Sequence, residues 1–539
     1  MENIRELIKD TVELHGNNIA FRIKKENKYI DKKYNDFYED INNLGSAFLE
    51  KGFLNKRIAV IGKNRYEWIV TYLAVVNGIG VIVPLDKGLA VSEIENSLIR
   101  SKAEVVVFDE KYIDDMKKIK EDNNTEIKHY ICMDKNDTFD NLESLMTKRN
   151  QEKYKNLPID NEKMSIIIFT SGTTSKSKAV MLSHKNIASN IEALNKVEES
   201  NENDVNMSFL PYHHTFGFTG LLFYLNKGCM NVFCDGLRYI QKNLKEYKVS
   251  VFVGVPAILE AMHKKLILEV EKQGKLKKLK MAQKLSKFLM FFGIDIRRKL
   301  FKDIINGLGG YIRSVISGAA PIDKKVAKDF NDWGILTIQG YGLTETSPVI
   351  AAEDSKHMRA GSVGHEMFNV EVKIDNPNKE GKGEIIAKGP NVMLGYYEDE
   401  KATKEVLKNG WFYTGDIGYV DKDGYIFITG RKKNVIVLKN GKNIYPEELE
   451  TLIGRLPYVE ECMVFGKPKE DDYVVSAKVV YNEDRLKDEN PKEKIWEDIK
   501  NINTTLPNYK HIKNIVVTTE PMAKTTTNKI KRFEEMKKL

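Results

Sequence analysis

A run of thirteen residues combines an apolar stretch with hydroxyl and cationic side chains: Ile166-Ile-Ile-Phe-Thr170-Ser171-Gly172-Thr173-Thr174-Ser175-Lys176-Ser177-Lys178. We expect a β-strand that leads into a loop with many N–H, hydroxyl and ammonium donors. Such a loop can surround a polyphosphate, because these donors bind anionic oxygens. It is not the GxxxxGK[ST] loop of P-loop NTPases, and the chain contains no GxGxxG. Taken alone, the run is compatible with a phosphate site or with an ordinary surface loop.

Further motifs follow this loop along the chain. They are Leu210-Pro-Tyr-His-His214, Ser317-Gly-Ala-Ala-Pro321, Tyr341-Gly-Leu-Thr344-Glu345, Tyr413-Thr-Gly-Asp416, Gly430-Arg431-Lys-Lys433, Gly441-Lys-Asn443-Ile-Tyr-Pro446-Glu and Pro521-Met-Ala-Lys-Thr525-Thr-Thr-Asn528-Lys529-Ile-Lys-Arg532. In this order and spacing the set resembles the adenylate-forming superfamily, which includes acyl-CoA synthetases, peptide-synthetase adenylation domains and luciferases. The resemblance covers almost the whole chain.

Within that superfamily the sequence looks most like long-chain fatty-acid–CoA ligases. The pointers are the run His213-His214-Thr-Phe-Gly-Phe, the run Gly389-Pro-Asn-Val-Met-Leu-Gly-Tyr-Tyr397, and a basic insert between Val255-Pro256 and Ser317-Gly318. The resemblance implies attack of a carboxylate on the α-phosphate of ATP, followed by displacement of AMP by a thiol. Because nucleophile and triphosphate are both anionic, such catalysis depends on positioning and positive charge.

The resemblance also implies roles for individual residues. Glu345 holds Mg²⁺, Thr344 contacts the α-phosphate, and Lys529 bridges the carboxylate and the α-phosphate during adenylation. The residues implied to bind ATP or AMP are Thr170, Ser171, Gly172, Thr173, Thr174 and Lys178 at the phosphates, Ala319, Ala320 and Tyr341 at the adenine, Asp416 and Arg431 at the ribose, and in addition Gly342.

A channel for the acyl group and the thiol is implied at His214, Gly318 and Gly441, with His213 a weaker member. His214 is alternatively a core histidine and Gly441 a plain turn. The resemblance further implies a hinge at Lys433 between a domain at residues 1–432 and a mobile domain at 433–539. One orientation delivers Lys529 for adenylation, and the other brings up the Gly441 segment for thioester formation.

The sequence departs from the family pattern in the phosphate loop, where Ser175, Ser177 and Ala179 replace Gly, Pro and Gly. Asn528 stands where Gly is commoner before the lysine. The replacements are small, and Asn tolerates a left-handed backbone better than most residues. Since the cations and Glu345 are present, we expect an active enzyme.

The elements that position these motifs are those of an α/β protein. Strands are predicted at Ile58–Ile61, Val105–Phe108, Ile166–Phe169, Val251–Val255 and Val315–Ile316, with helices such as Asp36–Lys51 and Ser92–Ser101 between them. A β-rich subdomain is predicted at about 360–430, with strands Glu384–Ala387, Val392–Tyr396, Tyr419–Val420 and Tyr425–Thr429. The small C-terminal α+β domain is predicted to contain helix Glu447–Leu456 and strands Cys462–Phe465 and Val474–Val480.

The overall composition fits a globular protein of several domains. The chain has 539 residues, of which 42% are hydrophobic and 30% charged, which excludes a mainly disordered chain. The four cysteines have no CxxC spacing, so we expect a reducing, cytoplasmic location and no disulfide framework. The net charge is +8, but 70 of the 85 basic residues are Lys, and readers of nucleic acid lean on Arg. We therefore expect no nucleic-acid partner.

Two segments bear on membranes. Met1 to Gly16 lacks the apolar core of a secretory signal. Trp68 to Leu85 carries no charge over 18 residues, a length that spans a bilayer, but Asn77, Gly78, Gly80 and Pro84 interrupt it. We expect a buried helix that ends near Asn77–Gly78, then a strand at Val81–Val83.

Residues 263–302 contain thirteen Lys or Arg and three acids, a net charge of +10. Met281, Leu285, Phe288, Leu289 and Phe292 share one helix face. That face is expected either to pack inward, as in an ordinary surface helix, or to lie on the anionic inner face of a membrane.

The leading hypothesis is thus an ATP- and Mg²⁺-dependent ligase that joins a medium- or long-chain fatty acid to coenzyme A and releases AMP and pyrophosphate. One alternative is an acyl-ACP ligase, whose acceptor is a carrier protein. Another is a non-catalytic, nucleotide-binding protein peripheral to the membrane. The oligomeric state is left open.

Overall fold

The structure is a computed structural model of the chain. The structure describes residues 2–26, 28–170, 177–439, 442–469, 472–486, 490–525 and 529–539. The described chain forms two compact units. Within the described residues, the first comprises 1–170, 177–371 and 388–410, and the second comprises 372–387 and 411–539.

The α-helices in chain order are α1 Ile4–His15, α2 Tyr34–Glu50, α3 Tyr66–Ala74, α4 Val91–Ser101, α5 Ile113–Asp122, α6 Leu142–Leu145, α7 Glu152–Lys155, α8 His184–Leu194, α9 Thr215–Asn226, α10 Ile240–Glu246, α11 Pro256–Lys272, α12 Leu276–Phe291, α13 Arg297–Leu300, α14 Lys302–Gly307, α15 Lys324–Asp332, α16 Glu400–Val406, α17 Pro446–Ile453, α18 Pro491–Asn503 and α19 Arg532–Met536. A π-helical segment spans Val75–Ile79, and 3₁₀ turns span Glu110–Tyr112, Leu237–Tyr239, Thr344–Thr346, Lys432–Asn434, Glu483–Arg485 and Asn508–Lys510.

The strands in chain order are β1 Ile19–Lys25, β2 Lys28–Lys33, β3 Lys56–Ile61, β4 Gly80–Leu85, β5 Val105–Phe108, β6 His129–Cys132, β7 Asp140–Asn141, β8 Met164–Thr170, β9 Lys178–Ser183, β10 Val205–Ser208, β11 Met230–Phe233, β12 Val251–Gly254, β13 Ser314–Ser317, β14 Leu336–Gly342, β15 Val349–Ala352, β16 His365–Glu366, β17 Glu371–Asp375, β18 Gly383–Lys388, β19 Gly395–Tyr396, β20 Leu407–Lys408, β21 Trp411–Val420, β22 Ile426–Arg431, β23 Ile436–Val437, β24 Asn443–Ile444, β25 Val459–Lys469, β26 Asp472–Tyr481 and β27 Asn514–Thr518.

The first unit is built on two large, mainly parallel sheets. One has the strand order β16-β15-β14-β13-β12-β10-β11-β1-β2, and the other has the order β19-β9-β8-β4-β3-β5-β6-β7. Their central strands are apolar runs such as Val105–Phe108, which is buried along its whole length. Strands that are covered on both faces are expected to be hydrophobic throughout, and this is the pattern that predicted them. The mixed α/β fold expected from the sequence is confirmed.

The second unit contains a β-rich segment and a C-terminal α+β segment. Strands β17, β18, β21 and β22 pair in the first, and β25, β26 and β27 form a separate three-stranded sheet. Helices α17 and α18 cover that sheet with buried residues such as Leu449, Ile453, Ile495 and Ile499, which share one core with its strands. Apolar periodicity near 3.6 on these helices explains why they pack on the sheet.

The uncharged segment from Trp68 to Leu85 lies inside the first unit, as predicted. Helix α3 ends at Ala74 and continues into the π-helical segment, whose helical backbone is broken at Gly78, where a φ of +123° suits glycine; β4 follows at Gly80. Of the helices in the described ranges, none is both long enough and apolar enough to cross a bilayer.

Two sequence predictions need correction. The strand predicted at Val392–Tyr396 is regular only at Gly395–Tyr396, because the backbone before it bonds to separate parts of the chain: the Val392 carbonyl accepts from the Asn186 side chain, and the Met393 N–H donates to the Glu345 carbonyl. The inward packing considered for the apolar face of α12 is also wrong. Met281, Phe288 and Phe292 expose 60–62% of their surface, because α12 turns the side that carries Leu279 and Ala282 toward the core.

Candidate active site

Strands β9 and β19 bring the first part of the site together in the first unit. They pair in antiparallel fashion, with Tyr396 opposite Val180. The ammonium of Lys178, at the start of β9, lies 4.5 Å from the centre of the Tyr396 ring. A cation over an aromatic face is attracted by the ring electrons, so the buried tyrosine holds this lysine at the end of the predicted phosphate loop.

Glu345 is bound by the same segment. The Tyr396 hydroxyl donates to Glu345 Oε1 at 2.9 Å, and the Met393 N–H donates to the Glu345 carbonyl at 2.8 Å. Burial, together with the neighbouring Glu345 carboxylate, raises the pKa of Tyr396 well above its ordinary value. Tyr396 is therefore a permanent donor that orients one oxygen of the carboxylate and leaves the other for a ligand.

The segment that carries Met393 and Tyr396 is fixed in turn by helix α8. Ser183 ends β9 and caps α8, since its hydroxyl accepts from the Asn186 N–H and its own N–H donates to Asn186 Oδ1. The Asn186 amide then donates to the carbonyls of Pro390 and Val392 at 2.8 and 2.9 Å. One buried asparagine thereby connects the helix cap to the segment that holds Glu345.

A tight turn at the end of β14 positions Thr344 and Glu345. The Thr346 hydroxyl accepts from the Leu343 N–H at 3.0 Å and donates to the Pro348 carbonyl at 2.6 Å. A Cβ at Gly342 would lie 1.7 Å from that carbonyl oxygen, so only glycine fits there. The Ser347–Pro348 peptide bond is cis. Tyr341, next to Gly342, is buried.

The residues predicted at the adenine lie on neighbouring parallel strands. Gly318, Ala319 and Ala320 follow β13, which pairs with β14 so that Ser317 is opposite Gln339. The carboxyl ends of parallel strands meet at one sheet edge, where α/β proteins bind ligands. Ala319 has a φ of +70°, and a Cβ at Gly318 would lie 2.7 Å from the Phe216 ring. The close approach of Phe216 explains a glycine at position 318.

A polar cluster contains the histidines predicted at the acyl channel. His213 Nε2 lies 3.4 Å from Asp86 Oδ1, and the two histidine rings are 4.3 Å apart. One ligand atom from each of Asp86, His213 and His214 lies within 4.8 Å of the others. His213 is buried, whereas His214 directly precedes α9 and is partly exposed. The cluster can orient a polar group by hydrogen bonding.

The ends of the predicted phosphate loop lie in the first unit. The Thr170 hydroxyl donates to the Lys178 carbonyl at 3.3 Å, and the two residues are paired across β8 and β9. Arg100 donates to Ser177 Oγ at 2.9 Å and to the Ser177 carbonyl at 2.7 Å. The predicted ligands Ser171, Gly172, Thr173 and Thr174 lie outside the described residues.

In the second unit, Asp416 and Arg431 face each other across β21 and β22. Arg431 Nε lies 2.9 Å from Asp416 Oδ1, and its Nη1 donates to the Thr414 carbonyl at 3.3 Å. The Asp416 side chain is only 7% exposed, whereas that of Arg431 is 39% exposed. Gly415, with a φ of +71°, turns the chain just before Asp416. The pair can present a carboxylate and a cation to a sugar phosphate.

Lys433 directly follows this pair. Desolvation, with repulsion by Arg431, lowers the pKa of Lys433 to about 8. Nearby, Asn434 donates to Glu447 Oε1 at 2.7 Å, and a Cβ at Gly430 would lie 2.7 Å from Glu447 Oε2. Gly441, the predicted channel residue of this unit, lies outside the described residues.

Lys529 lies on the surface of the second unit, close to the C-terminal helix. The Thr525 N–H donates to the Lys529 carbonyl at 2.8 Å, and the Lys529 N–H donates to Thr525 Oγ1 at 3.2 Å. Ile530 packs against the buried Met522 and Phe465. The backbone on both sides of Lys529 is therefore anchored, while its side chain is exposed. Asn528 lies outside the described residues.

Sequence reasoning missed Tyr396, Asp86 and Arg100 as site residues. Tyr396 stands in a run that was singled out for resemblance, but the spacing gave no sign that it binds Glu345, 51 residues earlier. Arg100 and Ser177 are likewise 77 residues apart. These contacts depend on the tertiary fold, and a lone Arg or Asp on a helix or after a strand carries no signal of its own.

Comparison with known proteins gives two family matches along the chain. Residues 8–397 match the family described as AMP-binding enzyme, and residues 433–538 match the AMP-binding enzyme C-terminal domain. The long-chain-fatty-acid–CoA ligase 5 of Mus musculus is 31% identical over 91% of this chain and 80% of its own length. A chloroplastic long-chain-fatty-acid–[acyl-carrier-protein] ligase of Arabidopsis thaliana is 30% identical over 60% of this chain and 52% of its own.

Among solved structures, ATP-bound MatB from Rhodopseudomonas palustris aligns with a TM-score of 0.80 and 23% identity, over 100% of this chain and 98% of that one. This likeness supports the fold. The family match extends over most of the chain, and the mouse relative is 31% identical over 91% of this chain. The chain belongs to the AMP-binding enzyme family.

Proposed function

We propose that the protein activates a medium- or long-chain fatty acid with ATP and transfers the acyl group to coenzyme A, with release of AMP and pyrophosphate. The observation that carries the proposal is the group formed by Lys178, Tyr396 and Glu345, in which a cation and an oriented carboxylate contact the same tyrosine beside the predicted phosphate loop. The substrate class is supported by the mouse relative, whose name gives it as a long-chain-fatty-acid–CoA ligase.

The group has the chemistry of a site for a metal-bound triphosphate. Mg²⁺ prefers oxygen ligands, keeps several waters, and is held in proteins through one or two carboxylates together with substrate phosphates. Glu345 has one oxygen engaged by Tyr396 and is partly exposed, which fits that need. When bound, Mg²⁺ would neutralise charge on the phosphates.

The protein's own residues then share the remaining work. Lys178 attracts the β- and γ-phosphates, and Thr344 lies beside Glu345 to contact the α-phosphate. The adenine is assigned to the sheet edge formed by Ala319, Ala320 and Tyr341, and Gly342 is assigned to the same nucleotide site. Asp416 accepts from the ribose hydroxyls, and Arg431 contacts the ribose–phosphate side. His214, Gly318 and Gly441 are assigned to the acyl and thiol channel.

Lys529 is assigned to the reacting atoms of the first step. A lysine between the carboxylate and the α-phosphate offsets the negative charge that builds up there, and loss of one such preorganised group costs on the order of 10²–10³ in rate. The anchored backbone at Thr525 and Ile530 suits a group that must be delivered in a fixed orientation.

The predicted division into residues 1–432 and 433–539, with a β-rich subdomain at about 360–430 and a hinge at Lys433, belongs to this proposal. Lys433→Pro fixes φ at this position. It is therefore expected to change the ratio of the adenylation and thioester rates at least about tenfold. Lys432→Pro, one residue earlier in the same turn, is the matched control. An unchanged ratio in Lys433→Pro would exclude a hinge at this residue.

The acceptor is the main open choice within this activity. The relative from Arabidopsis thaliana is named as an acyl-carrier-protein ligase, and the excess of Lys would suit an acidic carrier. Side-by-side assays with coenzyme A and with a carrier protein distinguish the two acceptors. We favour coenzyme A because the mouse relative aligns over much more of this chain.

The test is ATP–pyrophosphate exchange across carboxylates from acetate to stearate, with and without coenzyme A. A maximum at dodecanoate to stearate, with thioester formed once coenzyme A is added, is the expected result. Lys529→Ala should abolish exchange, while Lys531→Ala, an exposed neighbour paired with Glu534, should retain it. If both variants keep exchange, Lys529 takes no part in the reaction. Absence of exchange in the wild type would favour the non-catalytic, nucleotide-binding alternative.

The proposal includes a cytoplasmic location with peripheral contact to the inner face of the membrane through residues 263–302. Fatty acids of this length partition into bilayers, so an enzyme at the surface meets its substrate there.

A further inference from the structure

Helix α12 exposes a large apolar face. Met281 and Phe288 are each 62% exposed, Phe292 is 60% exposed and Phe291 is 85% exposed. Side chains at i, i+4, i+7 and i+11 share one side of a helix, so Met281, Leu285, Phe288 and Phe292 form a continuous stripe. Soluble proteins rarely leave contiguous apolar surface of this kind without a partner.

The opposite side of α12 is what holds the helix on the first unit. Leu279 and Ala282 pack on the core, Gln283 donates to Asp329 at 3.0 Å, and Lys287 lies 3.3 Å from Asp332. Ser286 is buried. Since these contacts fix the rotation of the helix, the outward direction of the phenylalanines is set by the fold.

Lysines surround the stripe. Lys277, Lys278, Lys280 and Lys284 are all exposed on α12, and the helix itself contains no acidic residue. A second copy of the chain on this face would bring two sets of lysines together, which opposes pairing. An apolar stripe with lysines at its sides instead matches a surface of acyl chains beneath anionic head groups.

We propose that the outward face of α12 docks on an anionic phospholipid bilayer. The phenylalanines and Met281 enter the boundary between head groups and acyl chains, and the lysines bind the head groups. This deepens the proposed function, because it names the surface at which the enzyme collects membrane-dissolved fatty acid. The docking itself does not require that activity and is measured separately from it.

The test is co-sedimentation of the full chain with vesicles of phosphatidylcholine containing about one third phosphatidylglycerol. Each lysine near an anionic surface contributes about fivefold to partitioning, so Lys277→Glu, Lys278→Glu and Lys280→Glu together should weaken binding on the order of a hundredfold. The matched control reverses the charge of Lys135, Lys148 and Lys153 by substitution with Glu. These lysines are exposed outside this segment, and their substitution changes the net charge by the same amount.

A second variant, Phe288→Ser with Phe292→Ser, removes apolar surface and keeps the charge. It should reduce vesicle binding at least about tenfold, since each phenylalanine loses the free energy of burying its side chain. The matched control is Leu237→Ser with Tyr239→Ser, which are 57% and 50% exposed elsewhere in the same unit. Both α12 variants should keep exchange activity with a short, water-soluble acid.

Binding that is equal in all these variants would overturn the proposal. So would a dimer in solution that Phe288→Ser with Phe292→Ser makes monomeric, because the occupant would then be a second copy. Saturable binding of this face to an acidic carrier protein, without vesicle binding, would also overturn it. Loss of vesicle binding with intact exchange supports docking, whereas loss of exchange in the wild type bears on the proposed function alone.

A different observation concerns the base of the predicted phosphate loop. The guanidinium of Arg100, in the last turn of α4, makes two hydrogen bonds to Ser177 and lies 5.1 Å from the centre of the Phe169 ring. Phe169 precedes the loop on β8 and Ser177 follows it. Arg100 therefore contacts both ends of the loop at once.

We infer that Arg100 is a positioning residue for ATP, and that Ser177 is its matching partner. The family pattern has Pro at position 177, whose ring restricts the backbone without help. Serine lacks that restriction, but its hydroxyl and carbonyl oxygens each accept a hydrogen bond from the Arg100 guanidinium. The arginine thus replaces a covalent restraint by hydrogen bonds. This inference rests on the proposed role of the loop in binding phosphates.

Equilibrium binding of ATP and of AMP separates this role from a structural one. Arg100→Ala should weaken the affinity for ATP about tenfold, as expected for loss of a charged hydrogen bond. The affinity for AMP should stay within about twofold of wild type, because AMP lacks the β- and γ-phosphates. Arg100→Lys should recover only part of the loss, since lysine cannot form the two-pronged contact. In a Ser177→Pro background, Arg100→Ala should have a smaller effect.

If Arg100→Ala weakens the affinities for ATP and AMP equally, or changes neither affinity, the positioning role is wrong. If Arg100→Ala weakens ATP affinity equally with serine and with proline at position 177, Arg100 does not compensate for the missing proline. A wild-type protein that binds neither nucleotide would instead contradict the proposed function, so the two failures are distinguishable.

Discussion

The hydroxyl of Tyr396 offers a sharp test of how Glu345 is held. Tyr396→Phe removes the donor at 2.9 Å from Glu345 Oε1 and keeps the ring under the Lys178 ammonium. A hydrogen bond to a charged group contributes about 1.5–3 kcal/mol, and water at the partly exposed Glu345 recovers some of it. A remaining loss of about 1–2 kcal/mol predicts a fall of about 5–30-fold in kcat/KM for ATP.

The assay is pyrophosphate exchange at several Mg²⁺ concentrations. Because the lost donor orients a proposed Mg²⁺ ligand, the half-saturating Mg²⁺ concentration should rise and the KM for the fatty acid should not. Burial and the Glu345 charge raise the pKa of Tyr396, so the hydroxyl stays protonated through the neutral and mildly alkaline range. The ratio of wild-type to variant activity should therefore not change between pH 7 and pH 9.

Tyr397→Phe is the matched control, since it removes the neighbouring hydroxyl from a ring that packs on a hydrophobic core. It should keep activity within about twofold of wild type. Tyr396→Ala, which also removes the ring under Lys178, should lose more than Tyr396→Phe. If Tyr396→Phe matches wild type at every Mg²⁺ concentration, the assignment of Glu345 as an oriented metal ligand is wrong.

Three further predictions concern stability and nucleotide binding. Gly342→Ala places a Cβ 1.7 Å from the Pro348 carbonyl oxygen, so it should lower Tm by several degrees and abolish exchange; a variant with wild-type Tm would contradict this close approach. Burial raises the pKa of Glu353 to about 7, which favours the protonated acid in the fold, so its stabilising contribution is present below about pH 4.5 and is lost as the pH rises through 7. The loss amounts to roughly 3 kcal/mol, and the Tm deficit of Glu353→Gln relative to wild type should narrow between pH 5 and pH 8; a constant deficit would exclude this titration. Asp416→Asn weakens the contact to Arg431 at 2.9 Å and should reduce AMP affinity about tenfold in calorimetry, whereas unchanged affinity would remove the carboxylate from the ribose site.

Much of the fold follows from local pattern in the sequence. The apolar run Val105–Phe108 is a strand over the predicted residues, and the uncharged segment after Trp68 is a buried helix and a strand, because Gly78 ends the helix. Regular periodicity and breaker residues are enough for such elements. The face that α12 buries was beyond this reasoning, since Leu279 and Ala282 on one side compete with the larger Phe288 and Phe292 on the other.

The candidate site also contains residues that the sequence predicted and residues that it did not. The positions of Glu345, Asp416 and Lys529 were predicted through family motifs, and the described structure anchors the backbone around each of them. Tyr396 and Asn186 were not predicted as site residues, because their roles depend on partners that the fold brings together from distant parts of the sequence. Motifs identify groups that contact a ligand, whereas the residues that hold those groups in place follow no fixed spacing along the sequence.

The pairing of β9 with β19 also affects how the chain is made. Before β19 has been synthesised, β9 is the edge of its sheet, with the apolar residues Ala179, Val180 and Leu182 and an unpaired row of backbone groups. A nascent chain, or a fragment that stops before Gly395, therefore exposes an edge on which other chains can pair. Because Tyr396 belongs to the same late strand, the strand that covers this edge also brings the hydroxyl that orients Glu345.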